Sequence, residues 1–516
     1  TTQGNYETRE KNYRYFPQNT WNSRADYTNY MNSFYLQGGV DVSLERDWTV
    51  GMQAIYNHSA PKPGNALSWT EVYDASTAVL DSLLYSNSDK DTSSDRLNLN
   101  FHTDTWDVDY LRDNRDENMG FLSKTLLPDG TEIPGTNFDY NYLQHRKVDV
   151  VSSALDFILP FEKYKITAGA KVSFTNTRNG INYDTSDPTL VQDDYFRYKE
   201  QIYALYADYS REFSERFSMQ LGLRMEHTRT TGISEAKDTE DKHDYTRLFP
   251  TVYLLYSPTD GHALNFSFSN RISRPSQNMV NPFPFYQNKY TYACGREDLK
   301  PSYTYNAELG YTLKNNFNVS AYYSYSDDVF FQVVDLDAET NVTSFLWENF
   351  MQTHAFGLNN SYTFRTKWLQ AYAQHGVSYR RTTSSAATTS PEEKGWAYDA
   401  SLRNTFFFNE KKTLLATLSG SYSSRQYQGI YLMSPTYSVS AGMLYRLLDN
   451  KLNLSLNVNN LFVSHSKLET MSNGLKIIAD NQFAFASFRI GVSYTFGGDI
   501  RSKGQRNSNG DIQRRL

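Results

Sequence analysis

The stretch that decides the fold reads Ser487-Phe488-Arg489-Ile490-Gly491-Val492-Ser493-Tyr494-Thr495-Phe496. Every second residue is apolar, and the residues between them are small, polar or charged. Because alternate side chains of a β-strand point to opposite faces, this stretch predicts a strand with one apolar surface and one polar surface.

The same alternation recurs along most of the chain. Comparable runs occupy 48–56, 217–225, 414–422 and 452–458. Strands of a soluble sandwich usually contain only about 5 or 6 residues. Many runs here extend to about 10 residues, the length of a tilted strand that crosses a bilayer. The sequence therefore predicts an all-β protein, a large antiparallel transmembrane β-barrel.

The links between the runs alternate between very short and very long. Short polar links occupy 45–47, 160–163, 314–316 and 449–450, and long links occupy 60–92, 115–146, 228–244 and 274–300. Outer-membrane barrels show this asymmetry, with short periplasmic turns and long extracellular loops. Soluble barrels can also carry long loops at one end, so the links alone do not decide the class.

The composition fits an outer-membrane barrel. Tyrosine, phenylalanine and tryptophan make up 15% of the chain, enough to supply two interfacial aromatic belts. The mean hydropathy of -0.65 would suggest a soluble protein, but only one face of each barrel strand meets lipid. No apolar run reaches the roughly 18 residues that a helical span needs.

Several other classes of function are excluded. The net charge of -6 offers no basic face for nucleic acid. The single cysteine, Cys294, permits no internal disulfide. The histidines are scattered, and neither His-Glu-x-x-His nor Gly-x-Ser-x-Gly occurs. We therefore predict no catalytic residues, no metal site, no cofactor and no enzymatic activity.

A strand count predicts the size of the barrel. About 19 strand candidates lie between Ser33 and Phe496. If Phe496 ends at the periplasmic side, an even barrel needs one more ascending strand, which 1–15 can supply. We predict about 20 to 22 strands, a barrel over 1–496 and a polar, basic periplasmic tail over 497–516. The chain opens without an apolar signal region, so we expect a processed or trimmed sequence.

A two-part motif lies in the middle of the chain. It reads Asn270-Arg271-Ile272-Ser273-Arg274-Pro275, then, after an aromatic loop, Gly295-Arg296-Glu297-Asp298-Leu299-Lys300-Pro301, and then Glu308-Leu309-Gly310. This motif resembles the mid-barrel signature of TonB-dependent outer-membrane receptors. Two segments are most similar to the outer-membrane β-barrel branch common in Bacteroidetes-type bacteria: the residues around Asn281-Pro282-Phe283 and the ending Tyr494-Thr495-Phe496-Gly497-Gly498. The motif residues are Arg274, Pro275, Leu299, Lys300, Pro301, Glu308, Leu309 and Gly310.

The resemblance implies uptake of a scarce solute, energised by the TonB complex through an N-terminal plug. Such receptors have a plug, a TonB box and about 22 strands. This sequence contains neither plug nor box, so we predict the barrel portion of a longer receptor, with the plug and first strands upstream. Ser302 stands where the family usually has Glu. The alternatives are a receptor-like scaffold subunit of a surface, secretion or assembly complex, and a passive porin.

The partners follow from this reading. We expect outer-membrane lipid and the TonB complex, which would act through the plug that this sequence lacks. Under the scaffold alternative, a surface lipoprotein or another outer-membrane protein would bind the loops.

Two groups of residues are candidates for contact with a solute. Five aromatic residues of the 274–300 loop can stack on a solute, or pack the loop onto the barrel rim: Phe283, Phe285, Tyr286, Tyr290 and Tyr292. The polar strand faces would line the path through the lumen, with Arg224, Glu226 and Arg489 as candidates.

Two charged segments have simpler explanations. The basic residues of 501–515 could meet a periplasmic partner or anionic headgroups, but a disordered overhang explains them as well. The acidic residues between His227 and Asp244 lack the spacing of a calcium loop. We expect a solvated external loop there.

Overall fold

The computed structural model describes residues 2–44, 48–185, 193–462, 464–483, 487–496 and 510–515. These residues form one sheet of 27 strands and two short helices. The strands are β1 (Thr2–Tyr15), β2 (Asn19–Ser43), β3 (Thr49–Ser59), β4 (Gly64–Asp74), β5 (Leu80–Thr103), β6 (Trp106–Leu126), β7 (Phe138–Pro160), β8 (Tyr164–Thr185), β9 (Asp194–Ser214), β10 (Phe217–Ser234), β11 (Thr239–Tyr256), β12 (His262–Ser273), β13 (Phe285–Asn288), β14 (Thr291–Cys294), β15 (Ser302–Leu313), β16 (Phe317–Leu336), β17 (Thr343–Arg365), β18 (Leu369–Ser384), β19 (Glu392–Phe407), β20 (Leu414–Ser423), β21 (Gln426–Gln428), β22 (Tyr431–Met433), β23 (Thr436–Leu447), β24 (Leu452–Asn459), β25 (Ser464–Ser472), β26 (Leu475–Phe483) and β27 (Ser487–Tyr494). The helices are α1 (Gln277–Val280) and α2 (Gly510–Gln513). Within the described residues, no helix is long and apolar enough to cross a membrane.

The wall of the barrel consists of neighbouring antiparallel strands. β3 and β4 occupy one wall position in succession, because β2 and β5 each pair with both of them. Three small hairpins, β13–β14, β21–β22 and β25–β26, belong to loops instead. With these six strands set aside, the described wall has 20 positions. The all-β, antiparallel barrel predicted from the sequence is confirmed.

β1 ascends beside β2, as the count required, but it pairs only with the upper part of β2. It pairs antiparallel with β2 from Thr2–Ser33 to Tyr15–Thr20, and its other edge pairs with β26. β27 pairs with β24, and the part of β2 that follows Ser33 pairs with β3. Among the described residues, these two segments form the edges of the sheet.

Tight turns join the strands at one end of the barrel. The predicted turns at 160–163, 314–316 and 449–450 are present between consecutive strands. Lys314 and Asn315 have φ angles of 50° and 56°, the left-handed region that tight hairpin turns require. The predicted turn at 45–47 lies outside the described residues.

For three of the four long links, the prediction of a loop is wrong. Strands occupy most of 60–92, 115–146 and 228–244, so the connections shrink to 60–63, 75–79, 127–137 and 235–238. β5, β6 and β7 contain 24, 21 and 23 residues, about twice the length needed to cross a bilayer. The pairing of the strands continues outside the membrane because backbone hydrogen bonds alone form it. The alternating sequence pattern, in contrast, occurs only where one face of a strand meets lipid. The upper halves of the strands therefore carry no clear sequence signal.

The two faces of the strands separate as the alternation predicts. Apolar side chains such as Met52, Leu223, Leu309 and Ile490 are 60%, 51%, 57% and 80% exposed on the outside, where lipid would cover them. Residues between them point into the lumen, and many of these are polar and buried. This arrangement is that of a barrel in lipid.

The structure describes only residues 510–515 of the tail that the sequence predicts to be periplasmic. Residues 497–509 lie outside the described residues, but α2 and Arg515 lie against the inner wall. Ile512, only 1% exposed, packs on Leu111, Val148 and Val150. The inner wall thus offers the tail an apolar niche that the sequence pattern did not reveal.

Candidate functional site

The connection 274–301 between β12 and β15, named here the inward loop, folds into the mouth of the barrel. Its Val280, Phe283 and Leu299 are 2%, 2% and 6% exposed. They share one apolar cluster with residues of β6 to β9: Phe121, Phe138, Tyr140, Tyr142, Ile181, Phe196 and Tyr198. Because large aromatic side chains dominate the burial energy of such contacts, this cluster holds the loop inside the mouth.

Arg274 fixes the point at which the inward loop leaves the wall. Its guanidinium pairs with Glu226 and donates to Thr228 Oγ1 at 3.2 Å. Its Nε lies 4.0 Å from the carboxylate of Glu200. Glu200 and Glu226 are 2% and 5% exposed, and buried carboxylates need cationic partners to remain charged. The Arg274-Pro275 half of the motif therefore fastens the loop to the lumen wall.

The second half of the motif fastens the other end of the loop. The Lys300 N–H donates to Asn349 Oδ1, and the Lys300 carbonyl accepts from Asn349 Nδ2, each at 2.9 Å. Leu299 and Pro301 are buried beside it. Glu308, Leu309 and Gly310 lie further along, in β15. There Gly310 permits a close approach of Asn265, whose Oδ1 would lie 2.5 Å from an added Cβ.

A cavity of about 810 Å³ lies between the inward loop and the upper inner wall. Its aromatic lining comprises Tyr27, Tyr30, Tyr142, Phe285, Tyr286 and Trp347. Its charged lining comprises four cations and one carboxylate: Lys62, Lys90, Arg115, Arg146 and Glu117. The cavity therefore carries an excess of positive charge, although the whole chain has a net charge of -6.

Glu117 organises two of these cations. Lys90 Nζ lies 2.8 Å and Arg115 Nη2 lies 3.0 Å from its carboxylate oxygens. The Tyr142 hydroxyl donates to the same carboxylate at 2.5 Å. Arg146 pairs with Asp113 at 3.2 Å and donates to Asn278 of the inward loop at 3.2 Å. These contacts hold the cations in place, as a preformed anion site requires.

The five predicted aromatic residues divide into two groups. Phe285 and Tyr286 line the cavity, and Tyr292 contacts Tyr286 with ring centroids 5.5 Å apart. Phe283 and Tyr290 pack the loop onto the wall without lining the cavity, and Phe285 and Tyr286 also pack against the cluster that contains Phe283. Tyr290 meets Trp21 of β2 edge-on, with ring centroids 5.1 Å apart.

The predicted lumen residues do not form one site. Arg224 and Glu226 lie together in β10, where Arg224 Nη2 donates to Glu226 at 2.7 Å. Arg224 also lies over the Tyr206 ring at 5.5 Å. Arg489 lies in β27 opposite Asn457, remote in the sheet from β10.

The acidic hairpin 228–244 does not form a cation site in the part of the chain that the structure describes. Three acidic residues of the 228–244 hairpin pair with neighbouring bases: Asp244 with Arg229 at 3.0 Å, Glu240 with Lys242 at 2.8 Å and Asp241 with His243 at 3.1 Å. Across the described residues, no group of three or more histidine, cysteine or acidic side chains could hold a metal ion. Burial raises the pKa of the Cys294 thiol, with Lys237 opposing and Glu297 adding to the shift.

Sequence reasoning missed the charged residues of the cavity. Lys90 and Arg115 fall in segments predicted as loops, and Trp347 lies in an upper strand segment without clear alternation. The available signal was the charge-rich run Arg112-Asp113-Asn114-Arg115-Asp116-Glu117. Its alternate members face the lumen only because β6 extends above the membrane.

A family comparison decides what kind of protein this is. The model of the outer membrane protein beta-barrel family matches residues 96–494. The chain belongs to this family. It is an integral protein of the bacterial outer membrane and not an enzyme. The narrower Bacteroidetes-type assignment remains a prediction.

Solved structures with a similar fold include several outer-membrane proteins. The copper transporter OprC is 12% identical, with a TM-score of 0.54, over 93% of this chain and 80% of that one. The siderophore receptor PiuA from Acinetobacter baumannii is 11% identical, with a TM-score of 0.48, over 93% and 82%. The siderophore receptor PirA from Pseudomonas aeruginosa is 11% identical, with a TM-score of 0.45, over 93% and 80%. Identities this low concern the fold alone. Among curated protein sequences, none matches this chain.

Proposed function

We propose that this barrel captures an anionic solute in the cavity behind the inward loop and passes it into the cell with energy delivered through TonB. The excess of positive charge in an aromatic-lined cavity of about 810 Å³ carries the proposal. Cations attract an anionic group, and ring faces such as those of Phe285 and Tyr286 accept a flat or apolar part of the same solute. An anion that carries an aromatic ring would contact both the cations and the ring faces of the cavity.

The energised step rests on the two-part motif. Arg274 and Leu299 stand at the two ends of the inward loop, so the resemblance to TonB-dependent receptors coincides with the segment that borders the cavity. A loop folded into the mouth suits a receptor that must hold a scarce solute before releasing it inward. The similarity to OprC concerns the fold, and we draw no substrate from it.

A fluorescent probe tests the cavity. We expect a trisulfonated pyrene dye to bind the purified 516-residue chain in detergent, and its uncharged pyrene analogue to bind far more weakly. Arg115→Gln should weaken dye binding about tenfold, because it removes a charged hydrogen-bond donor. Arg229→Gln is the matched control, since Arg229 pairs with Asp244 and does not line the cavity.

Cys294 supplies an internal reporter for the same experiment. Cys294 lines the cavity and is the only cysteine of the chain. Bound dye should slow maleimide labelling of Cys294, whereas the uncharged analogue should not. Equal binding of both compounds, with no effect of Arg115→Gln, would contradict an anion site.

A passive porin is the second candidate, because one observation favours it. Porins commonly narrow their pore with a loop folded inside, and the inward loop lies inside this barrel. A porin would conduct a steady ionic current across a planar bilayer without an energy source. An energised receptor with its plug inside the barrel should instead remain closed until TonB acts.

A further inference from the structure

We propose that the inner wall of the barrel carries a docking site for a short peptide of the form Ile-x-x-Arg, and that residues 510–515 of the same chain occupy it. This site is separate from the cavity and goes beyond the proposed uptake. The docked residues 510–515 contact both the wall and the inward loop, and would thus connect the lumen with the mouth of the barrel.

The first half of the site is apolar. Ile512 is 1% exposed and packs on Leu111 of β6 and on Val148 and Val150 of β7, each 0% exposed. These wall residues alternate with outward-facing ones, such as Val151, which is 47% exposed. Three aliphatic side chains on the lumen face are unusual in a wall that is otherwise largely polar. They form an apolar niche that Ile512 occupies.

The second half of the site is anionic. Arg515 Nη1 and Nη2 donate to the two carboxylate oxygens of Glu200 at 3.1 and 2.6 Å. Glu200 is 2% exposed, and the Arg515 side chain is 12% exposed. A two-pronged pair between guanidinium and carboxylate fixes direction as well as position. Two residues lie between Ile512, in α2, and Arg515, which follows α2. The Arg515 N–H donates to the Ile512 carbonyl at 2.9 Å, and both side chains meet the wall.

The docked segment also holds the inward loop. The N–H of Gln277 in α1 donates to the Arg515 carbonyl at 3.2 Å. The Gln277 side chain accepts from Thr177 Oγ1 of β8 at 2.9 Å. Arg274, at the start of the loop, shares Glu200 with Arg515. Release of 510–515 would therefore remove one support of the inward loop.

The test is cross-linking in the full chain carrying Cys294→Ser. We expect a short bis-maleimide to link Val148→Cys to Ile512→Cys. The matched pair Val151→Cys with Ile512→Cys should not link, because Val151 faces lipid. Adding Arg515→Glu should lower the linked yield about tenfold or more, because two carboxylates would then meet. Arg514→Glu should not lower the yield, since Arg514 is exposed.

A second measurement needs no cysteine. Amide hydrogen exchange of the peptide that contains Gln277 should be slow in the unmodified chain and faster in Arg515→Glu, but unchanged in Arg514→Glu. Heat-modifiable migration on gels verifies that each variant is folded. Equal linking of the two cysteine pairs would overturn the proposal. So would a folded Arg515→Glu variant whose linking and exchange match those of the unmodified chain.

Discussion

At the scale of single residues, the barrel depends on which face of a strand each side chain occupies. Leu454 of β24 is 37% exposed on the outer face, whereas its neighbour Ser455 points inward toward Gly491. We expect Leu454→Arg to lower the free energy of unfolding by about 2 to 4 kcal/mol, because a charge would then face lipid near mid-membrane. Ser455→Arg should be mild. Refolding into lipid vesicles measures the free energy of unfolding of both variants. Equal losses would contradict the assignment of Leu454 to the outer face and Ser455 to the inner face.

Gly295 tests the packing of the inward loop at the same scale. A Cβ added there would lie 2.6 Å from the Met279 carbonyl oxygen and closer still to that of Asn281, and neither backbone atom can rotate away. We expect Gly295→Ala to cost about 1 to 3 kcal/mol and to weaken dye binding. Gly38→Ala is the control, since nothing lies within 4 Å of its added Cβ. Thermal unfolding in detergent compares the two variants, and similar losses of stability would argue against tight packing at Gly295.

At the scale of elements, the turns and loops assign the two sides of the membrane. The tight turn at Asn315 should be periplasmic and the β10–β11 connection at Lys237 extracellular. In whole cells carrying Cys294→Ser, an impermeant maleimide should label Lys237→Cys but not Asn315→Cys. Both positions are exposed in the structure, so differences in burial do not explain the result. Labelling only at Asn315→Cys would invert the topology.

The same scale shows how far the sequence could predict the structure. The alternation revealed the membrane-crossing parts of the strands, because lipid and lumen impose opposite demands on neighbouring residues. The upper parts of β5, β6 and β7 have no lipid face, so their pairing depends on contacts between strands that a local pattern does not encode. Lys90, Arg115 and Arg146 lie there, which is why the cavity was not predicted.

At the scale of the whole molecule, contacts distant in sequence fill the mouth and part of the lumen. The inward loop meets β6 to β9, and 510–515 reaches Glu200, more than 300 residues earlier in the chain. Two aromatic candidates, Phe285 and Tyr286, reach the cavity, but their neighbours Phe283 and Tyr290 serve packing. Alternation alone cannot separate these roles, because each depends on which wall segment the loop meets.

The central claim is that the barrel takes up an anionic solute with energy from the inner membrane. The measurement is accumulation of the trisulfonated pyrene dye by cells that produce the barrel together with a plug, before and after a protonophore collapses the proton gradient. We predict uptake that stops on collapse and that falls in the Arg115→Gln variant but not in Arg229→Gln. Uptake that continues unchanged without the gradient would contradict the account and favour a passive porin.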